Sequence, residues 1–556
     1  MKKPKRIDIT PKELEALLKR AEAALDQGDY ELIKAMAEMI AYLSQAVDQK
    51  NTSAKRLLQM LFGGSTEKTQ QVLEKLKKAS DRLDARALDA GEEGQNPEKT
   101  RKGHGRNGAS KYTGAQRISI PHEYLKTGDR CPECDRGRVY QMKTPSVVIR
   151  VRGQAPLDAT VIELERLRCN LCGEVFTAQA PEGLGEEKYD AAAGSMIGLL
   201  KYGSGLPFNR LERLQACLGV PLPASTQWEI VDSVANRIYP AFDELQRQAA
   251  QGEIVHNDDT VMKVLSLMKE NDQKRKTKGK SKKKEAAQRT GMFTSGLVSV
   301  VGDKKIALFV TGRKHAGENL EDLLKKREAG LKPPIQMCDA LSRNAPGEFK
   351  SLLANCLAHG RRQFVDVAEN FPEECIHVLE TLKEVYKNDA VAKKEKMPPE
   401  ERLAFHQTES GPLMDQLNDW FIGQLEEKKV EPNSGLGKAI LYMLRHWKKL
   451  TLFLKEPDAP LDNNICERAL KKAIQHRKNS LFFKTEHGAY IGDLFMSLIH
   501  TCQLCKVNPF EYLTELQKHS EDVFKKPQEW MPWNYPAALP AGTVEESTPD
   551  VSGEPR

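Results

Sequence analysis

The spacing of apolar residues divides the chain into helical and mixed α/β parts. In the first 87 residues, apolar positions recur every three or four residues, notably over Leu14–Leu25 and Leu32–Val47. This spacing places them on one face of a helix. We therefore predict a helical N-terminal region at 1–87, formed as a coiled coil or a helix-turn-helix bundle.

Residues 88–117 interrupt this pattern, since they are rich in Gly, Asn, Lys and Arg and contain few large apolar side chains. This composition predicts a basic flexible linker. Residues 118–180 then carry short β-type runs, at 138–141, 146–151, 160–167 and 174–178. A return to helical spacing predicts a helical domain at 185–250.

From residue 251 the pattern alternates between strand and helix. We predict strands at Glu253–Val264, Gly291–Val301, Lys304–Thr311 and Ile335–Asp339, with helices near Glu318–Arg327 and at Phe349–Leu357. Three strands, a helix and a further strand follow one another in the RNase H-like fold. The pattern therefore predicts an RNase H-like catalytic domain at 251–480.

Long helical patterns interrupt and follow this domain. We expect an all-α insertion at about 365–455, a C-terminal helical region at 481–535 and a disordered tail at 536–556. The predicted fold class is a multidomain α/β protein. Its RNase H-like catalytic domain follows a helical N-terminal region and a four-cysteine zinc ribbon.

Composition limits the class of protein and the cellular compartment to be expected. Charged residues make up 29% and hydrophobic residues 39% of the 556, as in an ordinary soluble protein. No apolar run reaches the 18 residues of a membrane helix, and no secretory signal follows the basic start. We therefore expect a cytoplasmic protein with no membrane partner. The net charge is +7, and basic clusters at 101–117 and 269–289 fit polyanion contact or solvated linkers.

Eleven cysteines in a reducing compartment favour metal binding over disulfides. Two Cys-x-x-Cys pairs, separated by 34 residues, supply four thiolates: Cys131, Cys134, Cys169 and Cys172. Four thiolates leave no open position on a tetrahedral ion, so the predicted zinc is structural. We expect one Zn²⁺ in a ribbon at 118–180 that needs the metal to fold.

Three acids are the candidate catalytic residues. Asp258 lies in the first predicted strand and Asp339 ends the fourth, and these strands are central neighbours in an RNase H-like sheet. Glu467 lies on a later helix, where alone it would be read as one acid of an ion-paired surface. Together the three acids can hold two Mg²⁺ or Mn²⁺ ions for phosphodiester cleavage and strand transfer. Adjacent strand residues face opposite sides, so only one of Asp258 and Asp259 can point at the ions.

Cations and amides near these acids are candidate DNA contacts. Phosphate contacts position DNA without reading its sequence. The predicted set is Arg361, Arg362, Asn463, Asn464, Arg468, Lys471, Lys472, Arg477 and Lys478, in which the two asparagines alternatively orient Glu467. Asp462 is expected to cap the helix. For Cys356 and His359 we favour a structural or substrate-positioning role over metal binding.

Several motifs, in this order, resemble the insertion-sequence-66 family of DDE transposases. They are the Leu57–Lys68 segment, the two cysteine pairs, Lys201–Arg210, Asp258-Asp259-Thr260, Asp339, Cys356–Phe364, Asn463–Ala469 and Met531–Tyr535. The chain departs from the family where Asp259 replaces Glu, where Leu357 replaces Trp, and where Ala340-Leu341 follows Asp339. The Lys-rich stretch at 269–289 is also unusual.

The resemblance implies an enzyme that binds transposon ends, cleaves them and joins the 3′-OH to target DNA. It also implies a homo-oligomer that holds both ends, and accessory proteins encoded by the same element. Two alternatives remain open. One is a non-catalytic zinc-ribbon DNA-binding protein. The other is an RNase H-fold nuclease that hydrolyses DNA without joining it.

Overall fold

The structure is a computed structural model that describes residues 119–539 together with Arg20 and Tyr30. Within 119–539, the residues outside the description are 135, 143–145, 150–153, 169, 171, 173–174, 180, 182–186, 278–289, 346 and 348. Apart from Arg20 and Tyr30, the predicted N-terminal region at 1–87 and linker at 88–117 lie outside the described residues, as does the tail beyond 539. The chain divides into two units, a smaller one of residues 88–160 and a larger one of residues 1–87 and 161–556, and each is described by itself. Apart from Arg20 and Tyr30, the described residues of the larger unit start at Val161.

The smaller unit contains a tight hairpin around the first cysteine pair. Arg130 and Arg138 form a single antiparallel bridge. The amide of Cys131 donates to the carbonyl of Gly137 over 2.9 Å, which closes the turn. Residues 139–141 and 146–149 form no strand, so the predicted β-type run at 138–141 reduces to the bridge at Arg138, and the described part of the run at 146–151 is not a strand.

The larger unit begins with a short antiparallel pair and three helices. The predicted β-type runs at 160–167 and 174–178 shorten to strands of three residues, because only these residues pair across the hairpin. The elements are β1 (Arg166–Arg168), β2 (Val175–Thr177), α1 (Ala191–Gly198), α2 (Phe208–Cys217) and α3 (Ala224–Ala249). A π-helical turn at Leu199–Gly203 extends α1.

A five-stranded sheet follows, in the region where strand and helix patterns alternate. Its elements are β3 (Ile254–Val261), α4 (Leu265–Thr277), β4 (Phe293–Val301), β5 (Lys304–Gly312), α5 (Ala316–Leu324), β6 (Ile335–Cys338) and β7 (Leu352–Asn355). The first half of the Lys-rich stretch thus continues α4, and its second half, 278–289, is outside the described residues. Gly302, at φ +58°, makes the two-residue turn between β4 and β5 possible.

The strand order is β5-β4-β3-β6-β7, with β3 at the centre. β3, β4 and β5 pair antiparallel, whereas β6 and β7 run parallel to β3. The mixed α/β class and the central pairing of the first and fourth strands of this sheet agree with the sequence pattern. The strands that carry Asp258 and Asp339 are therefore direct neighbours.

The predicted helix at Phe349–Leu357 is wrong. Leu352–Asn355 forms β7, which pairs with β6 over four residues, and the next helix begins only at Leu357. β7 forms because β6 supplies its backbone hydrogen-bond partners. A short apolar run contains no sign of such a partner, so its periodicity does not distinguish a strand from a helix. This correction adds the fifth strand of the sheet.

A helical region separates β7 from the later helix that carries Glu467. It comprises α6 (Leu357–Val367), α7 (Pro372–Glu395), α8 (Pro399–Glu409), α9 (Gly411–Glu426) and α10 (Gly435–Leu450). α8 and α9 are separate helices that meet at Ser410, because Pro412 lacks the amide that an uninterrupted helix would use. The region shares a hydrophobic core with β6 and β7, in which Phe364 stacks on Phe421 with centroids 5.6 Å apart.

The C-terminal part is helical through residue 538. It contains α11 (Asn464–Ser480), α12 (Glu486–Leu504), α13 (Pro509–Lys518), α14 (Ser520–Lys525) and α15 (Tyr535–Ala538). α13 lies within the C-terminal helical region that the pattern predicts at 481–535. α15 extends past the predicted start of the tail at 536, since Tyr535 packs in the core against Tyr512. Among the described residues, no helix combines the length and apolar character needed to cross a membrane.

α12 covers the exposed edge of β5 with a row of side chains four residues apart. Asp493 accepts the amide of Thr311 over 2.6 Å, and the Ser497 hydroxyl accepts the amide of Phe309 over 2.9 Å. The Thr501 hydroxyl accepts the amide of Ala307 over 3.0 Å. The helix thus supplies acceptors that a sixth strand would otherwise provide, and it closes an edge open to aggregation.

We expect Thr501→Val to lower the free energy of unfolding by about 1–3 kcal/mol, because it keeps the shape but leaves the buried Ala307 amide unpaired. Chemical denaturation followed by circular dichroism measures this loss. Thr408→Val is the matched control, since the Thr408 hydroxyl bonds only Ala404 on an exposed helix face. Equal losses in the two variants would contradict the role of α12 at the strand edge.

Candidate active site

The central strand β3 presents its two adjacent aspartates to opposite faces of the sheet. Asp259 lies on the α5 face, where its Oδ2 is 2.8 Å from Nδ1 of His315 and its Oδ1 is 3.4 Å from Arg343. Asp258 points to the other face. As the alternation of a strand requires, Asp259 is engaged by His315 and Arg343, and Asp258 is left for the site.

Asp258 and Asp339 lie side by side at the same end of neighbouring parallel strands. The pairing places His256 opposite Met337, and the same register continued by two residues places Asp258 opposite Asp339. One side chain contacts both acids. Nδ2 of Asn344 is 3.3 Å from Oδ1 of Asp258 and 2.5 Å from Oδ1 of Asp339. The structure therefore brings these two predicted residues together.

The third predicted acid, Glu467, lies in the first turn of α11. Asn463, which immediately precedes α11, is fully buried and ties it to β3. Its Oδ1 is 3.1 Å from Nδ1 of His256, and its Nδ2 donates to the carbonyl of Asn257 over 3.1 Å. At the other end, Arg477 donates to the hydroxyl of Thr260. α11 thus runs along the face of β3 that carries Asp258.

Gly296 allows α11 to lie close to the sheet. It pairs directly with Asp258 across β3 and β4, so both positions face the same side. A Cβ atom at Gly296 would stand 2.9 Å from Cγ of Leu470 on α11, closer than packed carbon atoms come. The Cys466 thiol also donates to the Gly296 carbonyl over 3.2 Å. Because glycine has no side chain, α11, which carries Glu467, can lie close to β4 at this position.

The three acids interact electrostatically. Burial raises the pKa of Asp258 to about 7, and the negative charges of Asp339, Asp259 and Glu467 act in the same direction. The amide of Asp259 donates to Oδ1 of Asp258 and partly opposes this rise. A carboxylate in such surroundings gains stability from a bound cation, which is the arrangement expected of a metal site.

A second group of potential ligands adjoins Glu467. Among the described residues, atoms of Cys356, His359 and Glu467 lie within 4.8 Å of one another. Nδ1 of His359 is 3.6 Å from Oε1 of Glu467. The Cys356 thiol accepts the amide of Asn463, and burial raises its pKa to about 12. A protonated thiol engaged in this way is a poor ligand, so the geometry favours a structural role for Cys356.

The predicted DNA contacts fall into groups that differ in the solvent exposure of their side chains. Arg362, Arg468, Lys471 and Lys478 are exposed, whereas Arg361, Asn464, Lys472 and Arg477 are half-buried. Asn463 contradicts its prediction as a DNA contact, because it is fully buried and uses its amide atoms within the protein. Its orienting alternative fits the structure. Asp462 accepts the amide of Asn464, although the cap position itself is Asn463.

The predicted zinc ligands are only partly described. Cys131 and Cys134 share the hairpin of the smaller unit. The backbone amides of Gly137 and Arg136 and the thiol of Cys131 lower the pKa of Cys134, which favours a thiolate. Cys172 belongs to the larger unit, and Cys169 lies outside the described residues. The four-thiolate site therefore stays a prediction.

Sequence reasoning missed two residues at the site, Asn344 and His315. Asn344 ends a 3₁₀ turn after β6, and His315 precedes α5. The departure from the family pattern at 340–342, two residues before Asn344, was the one signal near it. Nothing local distinguished His315, because its partner Asp259 lies 56 positions away.

The Transposase IS66 family model matches residues 189–491, which span the sheet, the helical region, α11 and the start of α12. This match covers more than half of the chain and includes all three acids. The chain belongs to the IS66 transposase family.

Three relatives from Sinorhizobium fredii are described as uncharacterized proteins. The protein y4jD is 31% identical over 189 residues, which cover 33% of this chain and 36% of the relative. The protein y4hP is 25% identical over 428 residues, 70% of each chain. The protein y4qI is 25% identical over 364 residues, 61% of each. The match thus spans about a third of the length of y4jD.

We expect Gly296→Val to lower the free energy of unfolding by about 1–3 kcal/mol, because the new side chain overlaps Leu470. Chemical denaturation measures the change. Gly312→Val is the matched control, since Gly312 has open space around it at the end of β5. Leu470→Ala in the Gly296→Val background should recover part of the loss. No recovery, or equal losses at the two glycines, would contradict the close contact of α11 with β4.

Proposed function

We propose that this IS66 family member is a DDE transposase that binds transposon ends, cleaves phosphodiester bonds and transfers the 3′-OH ends to target DNA. One observation carries the proposal. Asp258 lies within β3 and Asp339 directly follows the neighbouring parallel strand β6, and the charge of Glu467 on α11 acts on the same Asp258 carboxylate. The strand order, with β3 central and β6 parallel to it, supports an RNase H-like catalytic core.

The donor set fits hard divalent cations. The converging groups are carboxylates from three elements, and Mg²⁺ and Mn²⁺ prefer such oxygen ligands. Asp258 would hold both ions, with Asp339 and Glu467 each completing one side. When bound, two such ions activate the attacking oxygen and stabilise the leaving oxygen of a phosphodiester.

Neighbouring residues of the chain would support this chemistry by holding the three acids in place. The buried Asn463 fixes the start of α11 on β3, so Glu467 is presented from a rigid element. Asp259 is removed from the reaction by its contacts with His315 and Arg343. The site therefore keeps three acids on one face and excludes the fourth.

DNA would approach over the exposed side of α11. Arg468, Lys471 and Lys478 are exposed there, and the structure gives them no ion pair with another described residue. Cations of this kind bind phosphates without reading sequence. We propose them as phosphate contacts together with Arg362, and we assign the half-buried Arg361, Asn464, Lys472 and Arg477 supporting roles. Self-association and accessory proteins stay predictions.

We also propose that Cys131, Cys134, Cys169 and Cys172 hold one structural Zn²⁺. The tight hairpin at Cys131 and Cys134 supports this, because it places two thiols together and its backbone amides lower the pKa of the Cys134 thiol. Four thiolates would satisfy a tetrahedral ion.

Asp258→Asn, Asp339→Asn and Glu467→Gln should each reduce Mg²⁺-dependent cleavage and joining of transposon-end DNA about a thousandfold or more. Each change removes several kcal/mol of charge stabilisation while keeping the shape of the side chain. Gel assays of both products measure the loss, and a mobility-shift assay should show that DNA binding survives.

Asp303→Asn is the control for these substitutions, since Asp303 is exposed in the turn between β4 and β5. It should retain cleavage and joining. Normal joining by Glu467→Gln would contradict the site assignment. Wild-type cleavage without joining would instead identify a hydrolytic nuclease.

Cys131→Ser and Cys172→Ser should each lower the zinc content of the purified protein from about one ion per chain, because a tetrahedral site loses a ligand. Elemental analysis measures the content. Cys217→Ser, which changes an exposed cysteine on α2, is the matched control and should keep the zinc. Full zinc in Cys131→Ser would contradict the four-thiolate site.

A further inference from the structure

Asn344 links the two aspartates of the candidate site in a way that no motif indicates. It ends a short 3₁₀ turn after β6, and it is fully buried. Its Nδ2 carries two hydrogens, and the two carboxylates lie 2.5 Å and 3.3 Å away, Asp339 the closer. Each hydrogen can therefore serve one carboxylate.

The orientation of this amide follows from chemistry. Ionised carboxylates only accept hydrogen bonds, so the nitrogen of Asn344 must face them, because its oxygen would be repelled. Its Oδ1 is buried and has no hydrogen-bond partner among the described atoms, so no contact at that end of the amide favours the opposite orientation.

The backbone of Asn344 is held independently of its side chain. Its carbonyl accepts Nδ2 of Asn257 and Nε2 of Gln336, both over 2.7 Å. These donors lie on β3 and β6, the two strands that carry the acids. The turn is therefore anchored to the same strands that it bridges, and a change of the Asn344 side chain leaves these anchors in place.

We infer that Asn344 is a positioning residue that holds the Asp258 and Asp339 carboxylates together for divalent cation binding. This inference rests on the proposal that the two acids bind the ions. Without the amide, the negative charges of the Asp258 and Asp339 carboxylates repel each other, and each carboxylate is more stable when it turns away from the other. Residues that orient metal ligands in this manner change metal affinity by about 10–100-fold when they are removed.

The test is Mn²⁺ binding to the full chain without DNA, measured by isothermal titration calorimetry for wild type, Asn344→Ala and Asn344→Ser. We expect Asn344→Ala to bind Mn²⁺ about 10–100-fold more weakly. Asn344→Ser, whose hydroxyl can donate to one carboxylate, should fall between the two. In DNA cleavage, a higher Mg²⁺ concentration should restore most of the rate of Asn344→Ala, because the ligands themselves are intact.

Asn355→Ala is the matched control. Asn355 is also buried beside the site, but its Nδ2 donates to the backbone carbonyl of Asp339 and not to a carboxylate. Its Mn²⁺ affinity should stay close to that of the wild type. Thermal unfolding identifies any variant that fails to fold, and Asn344→Ser then carries the comparison with Asn355→Ala.

Two outcomes separate this inference from the proposed function. If Asp258→Asn and Asp339→Asn abolish Mn²⁺ binding while folded Asn344→Ala and Asn344→Ser bind it as tightly as wild type, the positioning role is wrong and the metal site stands. If the Asp258→Asn and Asp339→Asn variants bind Mn²⁺ like wild type, the metal site itself is wrong.

Discussion

The fold of this IS66 family member has to hold like charges together. Asp258, Asp339 and Glu467 come from two strands and a helix, yet they converge closely enough that the other two acids contribute to the raised pKa of Asp258. Such a cluster is unfavourable by itself, since burial and repulsion both disfavour ionised carboxylates. The central sheet and α11 must therefore be anchored firmly, and a cation is the natural means of stabilising the group.

The anchors are polar and buried. Asn463 joins the start of α11 to β3, and Gly296 lets the same helix lie against β4. Asn344 spans the two aspartates from a turn that is fastened to both of their strands. Buried polar groups are stabilising only when they are hydrogen-bonded, so this network couples the geometry of the acids to the packing of the whole domain.

Much of the sheet could be predicted from sequence, because its strands are apolar runs with turn residues between them. Asp258 and Asp339 could be found because one interrupts and the other ends such a run, whereas Glu467 alone resembles an acid on an ion-paired helix surface. The rest depends on contacts between distant residues. The run at Leu352–Asn355 is too short to show a period and owes its strand form to β6, so the pattern wrongly predicts a helix there. An amide beside Glu467 carries no mark of burial, so the sequence does not show that Asn463 makes its contacts inside the protein. The nearby departure at 340–342 was the one signal for Asn344, because its role depends on two strands meeting at one point.

A crystal structure of the protein soaked in Mn²⁺, with the ions located by anomalous scattering, tests most directly whether the three acids form one divalent-metal site. We expect two ions bound to carboxylate oxygens of Asp258, Asp339 and Glu467, about 3.5–4 Å apart. Mn²⁺ bound by His359 and Glu467 with Asp258 and Asp339 uninvolved would contradict this site.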